Sequence, residues 1–179
     1  MKNEIEVLRD VTERLEASAI AYMLTGSMAL NFYAEPRMTR DIDFVVELAS
    51  EDAQRLVRLF HPDYYISYES VRDSIARQSL FNLIHQGSII KVDFIVRKND
   101  PYRLLEFSRR RRVRMEGLEA WIVSKEDLII SKLLWAQDSH SDFQLRDVRS
   151  LVKSGCDVPY VEHWTAILGV TSLWQEVQP

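Results

Sequence analysis

Apolar residues follow two different spacings along the chain, and the spacing changes at recognisable turn signals. Residues 4–18 repeat apolar positions at the interval of one helical face, and Asn3 with Glu6 is a plausible capping pair at its start. Residues 19–24 form a short continuous apolar run that ends at Thr25-Gly-Ser27. The first pattern predicts an amphipathic helix, and the second predicts a buried strand that enters a turn.

The same criteria predict the remaining elements, with a hairpin at Gln86-Gly87. Helices are expected at 27–34, 51–60, 101–108, 125–137, 142–153 and 159–168. Strands are expected at 41–47, 64–68, 79–85 and 88–96, with an extended stretch at 112–123 and a frayed tail at 172–179. We therefore predict an α+β fold, in which a mixed sheet with packed helices (residues 1–123) precedes a helical C-terminal part (residues 124–179).

Composition narrows the class of protein. The 179 residues are 46% hydrophobic and 28% charged, which is ordinary for a globular protein, and no apolar run reaches the roughly 20 residues that cross a bilayer. The charged N-terminus lacks an apolar signal core, and Cys156 is the only cysteine, so a cytoplasmic protein without a membrane partner is expected. The net charge of −4 argues against nonspecific nucleic-acid binding by the whole surface.

Three aspartates carry the candidate chemistry. Asp41 and Asp43 are one residue apart in a predicted strand, so they share a face, and Asp93 lies in a second apolar strand. Converging carboxylates repel one another unless cations neutralise them, and hard oxygen ligands suit Mg²⁺ or Mn²⁺. Upstream, the Gly26-Ser27 turn before a helix could let backbone N–H groups approach a phosphate.

Gly26-Ser27, a spacer, Asp41-x-Asp43 and a distant strand aspartate, Asp93, together resemble the motif of the nucleotidyltransferase superfamily of the DNA polymerase β type. The later segments 124–135 and 146–148 are similar to the branch that includes abortive-infection nucleotidyltransferase toxins. The resemblance covers roughly residues 19–153. It implies transfer of a nucleoside monophosphate from an NTP to an acceptor hydroxyl, with release of pyrophosphate.

The resemblance also implies roles for particular residues. Asp41, Asp43 and Asp93 would be the catalytic metal ligands. Gly26 and Ser27 would hold the β- and γ-phosphates, and Lys132 would contact the nucleotide. Three kinds of acceptor are left open, namely tRNA, a protein and a small molecule, as is a toxin role with an antitoxin partner. The alternative from another class is a noncatalytic module that keeps the fold and binds nucleotide or RNA.

Several charged residues have two interpretations. Lys132 falls on the apolar face of its helix, so it either contacts the nucleotide or is a lysine at the edge of the core. Asp147 is expected to be an acid on the helix surface, with an ion pair to Lys132 as the alternative. Arg37 and Arg40 precede the Asp-x-Asp strand; Arg40 could bind triphosphate or acceptor, or balance nearby acids.

The run Arg109–Arg114 holds five arginines and could bind RNA phosphates or protect an edge strand with charge. The four histidines are scattered and do not suggest a zinc site. Trp135, Trp164 and Trp174 are expected to pack the C-terminal helices together.

Overall fold

The computed structural model describes residues 2–39, 41–115, 117–139 and 141–178. Within these residues the helices are α1 (Glu4–Ala17), α2 (Gly26–Tyr33), α3 (Asp52–Phe60), α4 (Tyr68–Arg77), α5 (Pro101–Ser108), α6 (Lys125–Ser139), α7 (Asp142–Lys153), α8 (Val158–Leu168) and α9 (Thr171–Val177). The strands are β1 (Tyr22–Thr25), β2 (Ile42–Val46), β3 (Tyr64–Tyr65), β4 (Leu80–His85), β5 (Ile90–Val96), β6 (Arg111–Met115) and β7 (Leu118–Ile122).

The described strands form one mixed sheet in the order β3-β4-β5-β2-β1-β7-β6. The pairs β2–β5 and β1–β7 are parallel, and the other neighbours are antiparallel. The central strands β1, β2 and β5 are apolar and mostly buried, as expected for strands covered on both faces. The predicted α+β class with a mixed sheet is confirmed.

Aromatic rings fill one side of the centre of the sheet. Phe44 on β2 and Phe94 on β5 make an edge-to-face contact at 5.7 Å, and Phe94 meets Phe60 and Phe81 in the same way. All four side chains are buried. Because successive side chains of a strand point to opposite faces, this packing directs the neighbours Asp43 and Asp93 away from the aromatic core.

The helices after β7 lie on the side of the sheet opposite the aromatic rings. The chain passes from β7 into α6, which packs against α2, α7 and α8. Buried Leu128, Ile129 and Leu133 lie on the inner faces of α6. The predicted division of the chain near residue 124 into a core and a C-terminal part stays a prediction.

Two segments differ from the sequence expectation. A strand was expected at 64–68, but β3 covers only Tyr64–Tyr65, and α4 follows because the Ser67 side chain caps its first turn. The tail at 172–179 is not frayed through residue 177, because Thr171–Val177 form α9 and bury Trp174 to 1% exposure. Both short helices have few apolar positions, so their periodicity is weak.

The hairpin at Gln86-Gly87 is confirmed, since β4 and β5 pair antiparallel across it. The extended stretch at 112–123 is a second hairpin, β6–β7, and β6 is an edge strand of the sheet. In the part of the chain that the structure describes, none of the helices combines the length and apolar character needed to cross a bilayer.

Candidate active site

Two of the three aspartates meet on neighbouring strands. Asp43 on β2 is directly opposite Asp93 on β5 in the parallel register, so both side chains lie on the same face of the sheet. Each residue is only 7% exposed. The pairing of β2 with β5 was not evident from the sequence, and it brings together two carboxylates separated by 50 positions.

Gly26 is packed directly against Asp43 of this pair. Thr25, the last residue of β1, is opposite Asp43, and the chain then turns into α2 with Gly26 at a φ of +62°. A Cβ atom at Gly26 would lie 2.7 Å from Asp43 Cγ, which is closer than real atoms approach. The position therefore needs glycine both for its backbone angle and for the space that Asp43 fills.

The surroundings of Asp43 disfavour its charge. Burial, and then the neighbouring carboxylates Asp93 and Asp41, raise the pKa of Asp43 to about 6, although Lys132 and Lys91 oppose the rise. A carboxylate in this position gains most from a bound cation, because a cation removes the repulsion that raises the pKa. This electrostatic pattern is typical of functional sites.

Lys91 already places one cation beside the carboxylates. Its Nζ donates to Asp93 Oδ2 at 2.8 Å and lies 3.8 Å from Asp41 Oδ1. The hydrogen bond to Asp93 raises the pKa of Lys91, despite burial that lowers it. Asp41 itself precedes β2, and its side chain is 58% exposed. Arg40, the predicted triphosphate ligand, lies outside the described residues.

A second charged cluster connects the Gly-Ser turn to the C-terminal helices. Arg37 donates to Ser27 Oγ at 2.6 Å and makes two hydrogen bonds to the Asp147 carboxylate, at 3.0 and 2.9 Å. Lys132 Nζ donates to Asp147 Oδ2 at 2.8 Å and to Gln144 Oε1 at 3.0 Å. One carboxylate on α7 thus fixes both a cation from the loop after α2 and a cation on α6.

Asp147 is therefore not the surface acid expected from the sequence. It is 4% exposed, and it forms the ion pair to Lys132 that was the alternative. Burial opposes its ionisation, but the hydrogen bonds from Arg37 and Lys132 outweigh burial and lower the pKa of Asp147. The contact between Arg37 and Asp147 is bidentate, which is the stronger arrangement of an arginine–carboxylate pair.

Lys132 is held close to the carboxylate pair. Its side chain is 4% exposed and lines the same cavity as Asp43 and Gly26. Burial lowers the pKa of Lys132, although Asp147 and, more weakly, Asp43 favour its charged form. A desolvated ammonium group gains by approaching an anion, which makes Lys132 a suitable contact for phosphate.

Gly26, Asp43 and Lys132 line one cleft between the sheet and the helices α5 and α6, with a cavity volume of about 380 Å³. Gly26 and Asp43 lie at one end of its sheet wall, and Val45 and Ile95 continue that wall. The helical wall carries Lys132 and Trp135. The volume lies within the range of pockets that hold one small ligand.

Sequence reasoning missed part of the cleft wall. Arg103 on α5 donates to Glu106 Oε2 at 2.8 Å and to Ser131 Oγ at 2.6 Å, and all three residues line the cavity. Burial raises the pKa of Glu106, despite the hydrogen bonds from Arg103 and Ser131. The Glu106 position in an otherwise apolar helical face was the only sequence signal.

Solved structures share this architecture. The antibiotic-resistance factor ANT(2'')-Ia superposes over 97% of this chain and 95% of its own, with a TM-score of 0.64 and 11% identity. The lincosamide antibiotic adenylyltransferase LnuA, solved with lincomycin, matches 83% of this chain and 96% of its own, with a TM-score of 0.55 and 12% identity. An antigenic nucleotidyltransferase-like protein from Paracoccidioides brasiliensis matches 84% of this chain and 76% of its own, with a TM-score of 0.59 and 18% identity.

The chain has a nucleotidyltransferase fold. No protein-family model and no curated protein matches the sequence. Because the identities are low, the likeness establishes the fold, and the chemistry has to be argued from the site.

The side chains around Asp43 have the chemistry that a divalent metal ion requires. Among the described residues, no three acidic, histidine or cysteine side chains are arranged as a ready-made metal site. However, Asp43 and Asp93 supply hard oxygen ligands in register, and the Lys91 ammonium group already bridges Asp93 and Asp41. A site that holds one cation and destabilises the charge of Asp43 fits a divalent ion.

Three of the five arginines in the run 109–114 contact other side chains of the fold. Arg109 donates to Asp127 Oδ2 at 3.0 Å and stacks over Tyr160, and Arg110 stacks over Phe107 at 4.2 Å. Arg112 pairs with Glu119 across the β6–β7 hairpin. These contacts favour the interpretation as a charged edge strand over an RNA-binding patch.

Proposed function

We propose that the protein is a metal-dependent nucleotidyltransferase, which transfers a nucleoside monophosphate from an NTP to an acceptor hydroxyl. The observation that carries the proposal is the register pair Asp43–Asp93, in which Asp43 packs against Gly26 and lines a cleft that also holds Lys132. In this reaction the acceptor oxygen forms a bond to the α-phosphorus, the bond to the β-phosphate oxygen breaks, and pyrophosphate leaves.

Asp43, Asp93 and Asp41 would hold Mg²⁺ or Mn²⁺, which would neutralise negative charge on the phosphates and on the attacking oxygen. Asp93 would also accept the proton of the acceptor hydroxyl. Its hydrogen bonds from Lys91 at 2.8 Å and from Asn82 at 3.3 Å keep this carboxylate oriented within the site.

The β- and γ-phosphates would bind at the turn between β1 and α2. Gly26 allows the backbone to approach a ligand closely, and the N-terminal N–H groups of α2 favour an anion. Ser27 Oγ, fixed by Arg37, would donate a hydrogen bond to a phosphate oxygen. Lys132, fixed by Asp147, would neutralise phosphate charge from the helical wall.

Of the acceptors left open by the sequence, we infer a small hydroxyl compound rather than tRNA or a protein. Arg109, Arg110 and Arg112 of the run that could have held RNA are engaged with acids or aromatic rings of the fold, and the cleft is small. One structural neighbour is an antibiotic-resistance factor, and another is a lincosamide antibiotic adenylyltransferase solved with lincomycin. These features support a compact acceptor that has hydroxyl groups.

The test is transfer of label from α-³²P NTPs, with Mg²⁺, to a panel of acceptors that includes lincosamides, aminoglycosides and bulk tRNA. The wild type should label an acceptor, and Asp43→Asn should lower the rate at least about 1,000-fold. Asp73→Asn is the matched control, because Asp73 is an exposed carboxylate on α4 whose ion pair, among the described residues, is with its neighbour Arg72. Equal labelling by the wild type and Asp43→Asn would refute the assignment.

NTP binding without release of pyrophosphate with any acceptor would instead favour the noncatalytic binding module. If tRNA were the only acceptor labelled, the result would favour a toxin role. In that case, expression of the wild type but not of Asp43→Asn should arrest growth of the host cell, and an antitoxin partner would be sought by relief of that arrest.

A further inference from the structure

Trp135 does not have the packing role that its helix position suggested. It lies three residues after Lys132 and therefore on the same side of α6. It is 50% exposed, whereas Trp174 is 1% exposed, and it lines the cleft. A large exposed aromatic ring beside a desolvated lysine suits a ligand that has both a flat apolar part and an anionic part.

The sheet wall of the cleft also has a charged part and an apolar part. Val45 and Ile95 follow Asp43 and Asp93 by two positions, so they lie on the same face of their strands, about 6–7 Å further along. Both line the cavity. The sheet wall of the cleft thus changes from the Asp43 carboxylate to branched apolar side chains two residues further along the strands.

The helical wall of the cleft likewise changes from a charged side chain to an aromatic one along α6. Lys132 lines the cavity together with Asp43 and interacts electrostatically with it. Trp135 is one turn further along α6, and Asp138 and Ser139 follow on the next turn, where they also line the cavity. A flat ring between Val45, Ile95 and Trp135 would therefore have polar groups at its edge.

We propose that Trp135, with Val45 and Ile95, forms the nucleobase subsite of the cleft and that the indole stacks on the base of the NTP. This inference rests on the proposed function, which places the α-phosphate at Asp43 and Asp93. The ribose and base must then extend away from the carboxylates. The cleft continues along this wall, and the stacking of bases on aromatic side chains contributes substantially to affinity.

The experiment compares NTP·Mg²⁺ with inorganic tripolyphosphate·Mg²⁺, which has the anionic part and lacks the base. Dissociation constants are measured by calorimetry for the wild type, Trp135→Phe, Trp135→Ala and Tyr68→Ala. Tyr68 is an exposed aromatic residue on α4 that does not line the cleft, so it is the matched control. Tryptophan fluorescence is recorded for the wild type and Trp135→Phe.

Trp135→Ala should weaken NTP binding by about 10-fold or more and leave tripolyphosphate binding within about 2-fold, because only the base loses its partner. Trp135→Phe should bind NTP within about 3-fold of the wild type. NTP, but not tripolyphosphate, should quench the fluorescence of the wild type. That quenching should be absent in Trp135→Phe, and Tyr68→Ala should bind both ligands normally.

If Trp135→Ala bound NTP as tightly as the wild type does, the proposed nucleobase subsite would be refuted and the proposed function would be unaffected. Equal weakening of NTP and tripolyphosphate binding would overturn the subsite as well, because the indole would then not contact the base. Binding of neither ligand by the wild type would instead refute the proposed function, and the subsite with it.

Discussion

At the scale of single residues, replacement of Gly26 tests the close packing of the β1–α2 turn against Asp43. Alanine at this position would adopt a left-handed backbone angle, which costs about 1–2 kcal/mol, and its Cβ would collide with the Asp43 carboxylate. We expect Gly26→Ala to lower the free energy of unfolding by at least about 1 kcal/mol. It should also abolish Mg²⁺-dependent NTP binding, because Asp43 has to move.

Gly169→Ala is the matched control for this change. Gly169 has a φ of +74°, but no atom lies within 4 Å of an added Cβ, so the backbone strain is present without the collision. Urea unfolding and calorimetric NTP binding should show a similar loss of stability with normal binding. Normal NTP binding by Gly26→Ala would contradict the arrangement of Gly26 against Asp43.

The raised pKa of Asp43 predicts how the free energy of unfolding of the metal-free protein depends on pH. Its folded pKa of about 6 exceeds the ordinary aspartate pKa of 3.8, so the folded state keeps a proton that the unfolded state has already released. The resulting penalty is absent below about pH 3.8, grows as the pH rises through 3.8 to 6, and stays constant above 6. At 1.36 kcal/mol for each pKa unit, the full penalty is about 2–3 kcal/mol.

Asp43→Asn removes this titration. The unfolding free energy of Asp43→Asn minus that of the wild type should therefore increase by about 2–3 kcal/mol as the pH rises from 4 to 7. Urea unfolding in EDTA at a series of pH values measures this difference. If the difference between the two proteins did not change with pH, the burial and repulsion at Asp43 would not be those described above.

At the scale of elements, α9 and α6 place the same side-chain type in opposite environments. Trp174 on α9 is buried, and Trp135 on α6 is half exposed. Trp174→Ala should lower the free energy of unfolding by about 3–5 kcal/mol, whereas Trp135→Ala should lower it by less than about 1 kcal/mol. Urea denaturation of the two variants makes the comparison, and similar losses in both would contradict the docking of α9.

The elements that could be predicted from the sequence are those with strong periodicity or clear turn signals. The capping box of Asn3 and Glu6 marks the start of α1, and the apolar runs on either side of Gln86-Gly87 mark β4 and β5. The weakly periodic α4 and α9 were missed, because tertiary packing rather than pattern stabilises them. The motif residues Gly26, Asp43 and Asp93 could be selected from the sequence because their spacing and strand context resemble a known motif.

At the scale of the whole molecule, the cleft depends on contacts between parts of the chain that are distant in sequence. Asp43 and Asp93 come together only through the parallel β2–β5 pairing, and Asp147 reaches Arg37 across 110 positions. No local pattern encodes such pairings, which is why Arg37 and Asp147 were not predicted to interact. The wall formed by Arg103, Glu106 and Ser131 was missed for the same reason.

The cleft has walls from both the sheet and the later helices, so a ligand that binds there must stabilise the whole fold. At about 100 times its dissociation constant, an NTP adds about 2.7 kcal/mol to the free energy of unfolding. For a chain of this size, that corresponds to a rise in the unfolding temperature of about 5–10 °C.

The most direct measurement is thermal unfolding of the wild type and Asp43→Asn with each of the four NTPs, with and without Mg²⁺. The wild type should show a rise of about 5–10 °C that requires Mg²⁺ and at least one NTP, and Asp43→Asn should show no Mg²⁺-dependent rise. An equal Mg²⁺-dependent rise in both proteins, or no rise in the wild type with any NTP, would contradict a metal–nucleotide site at Asp43.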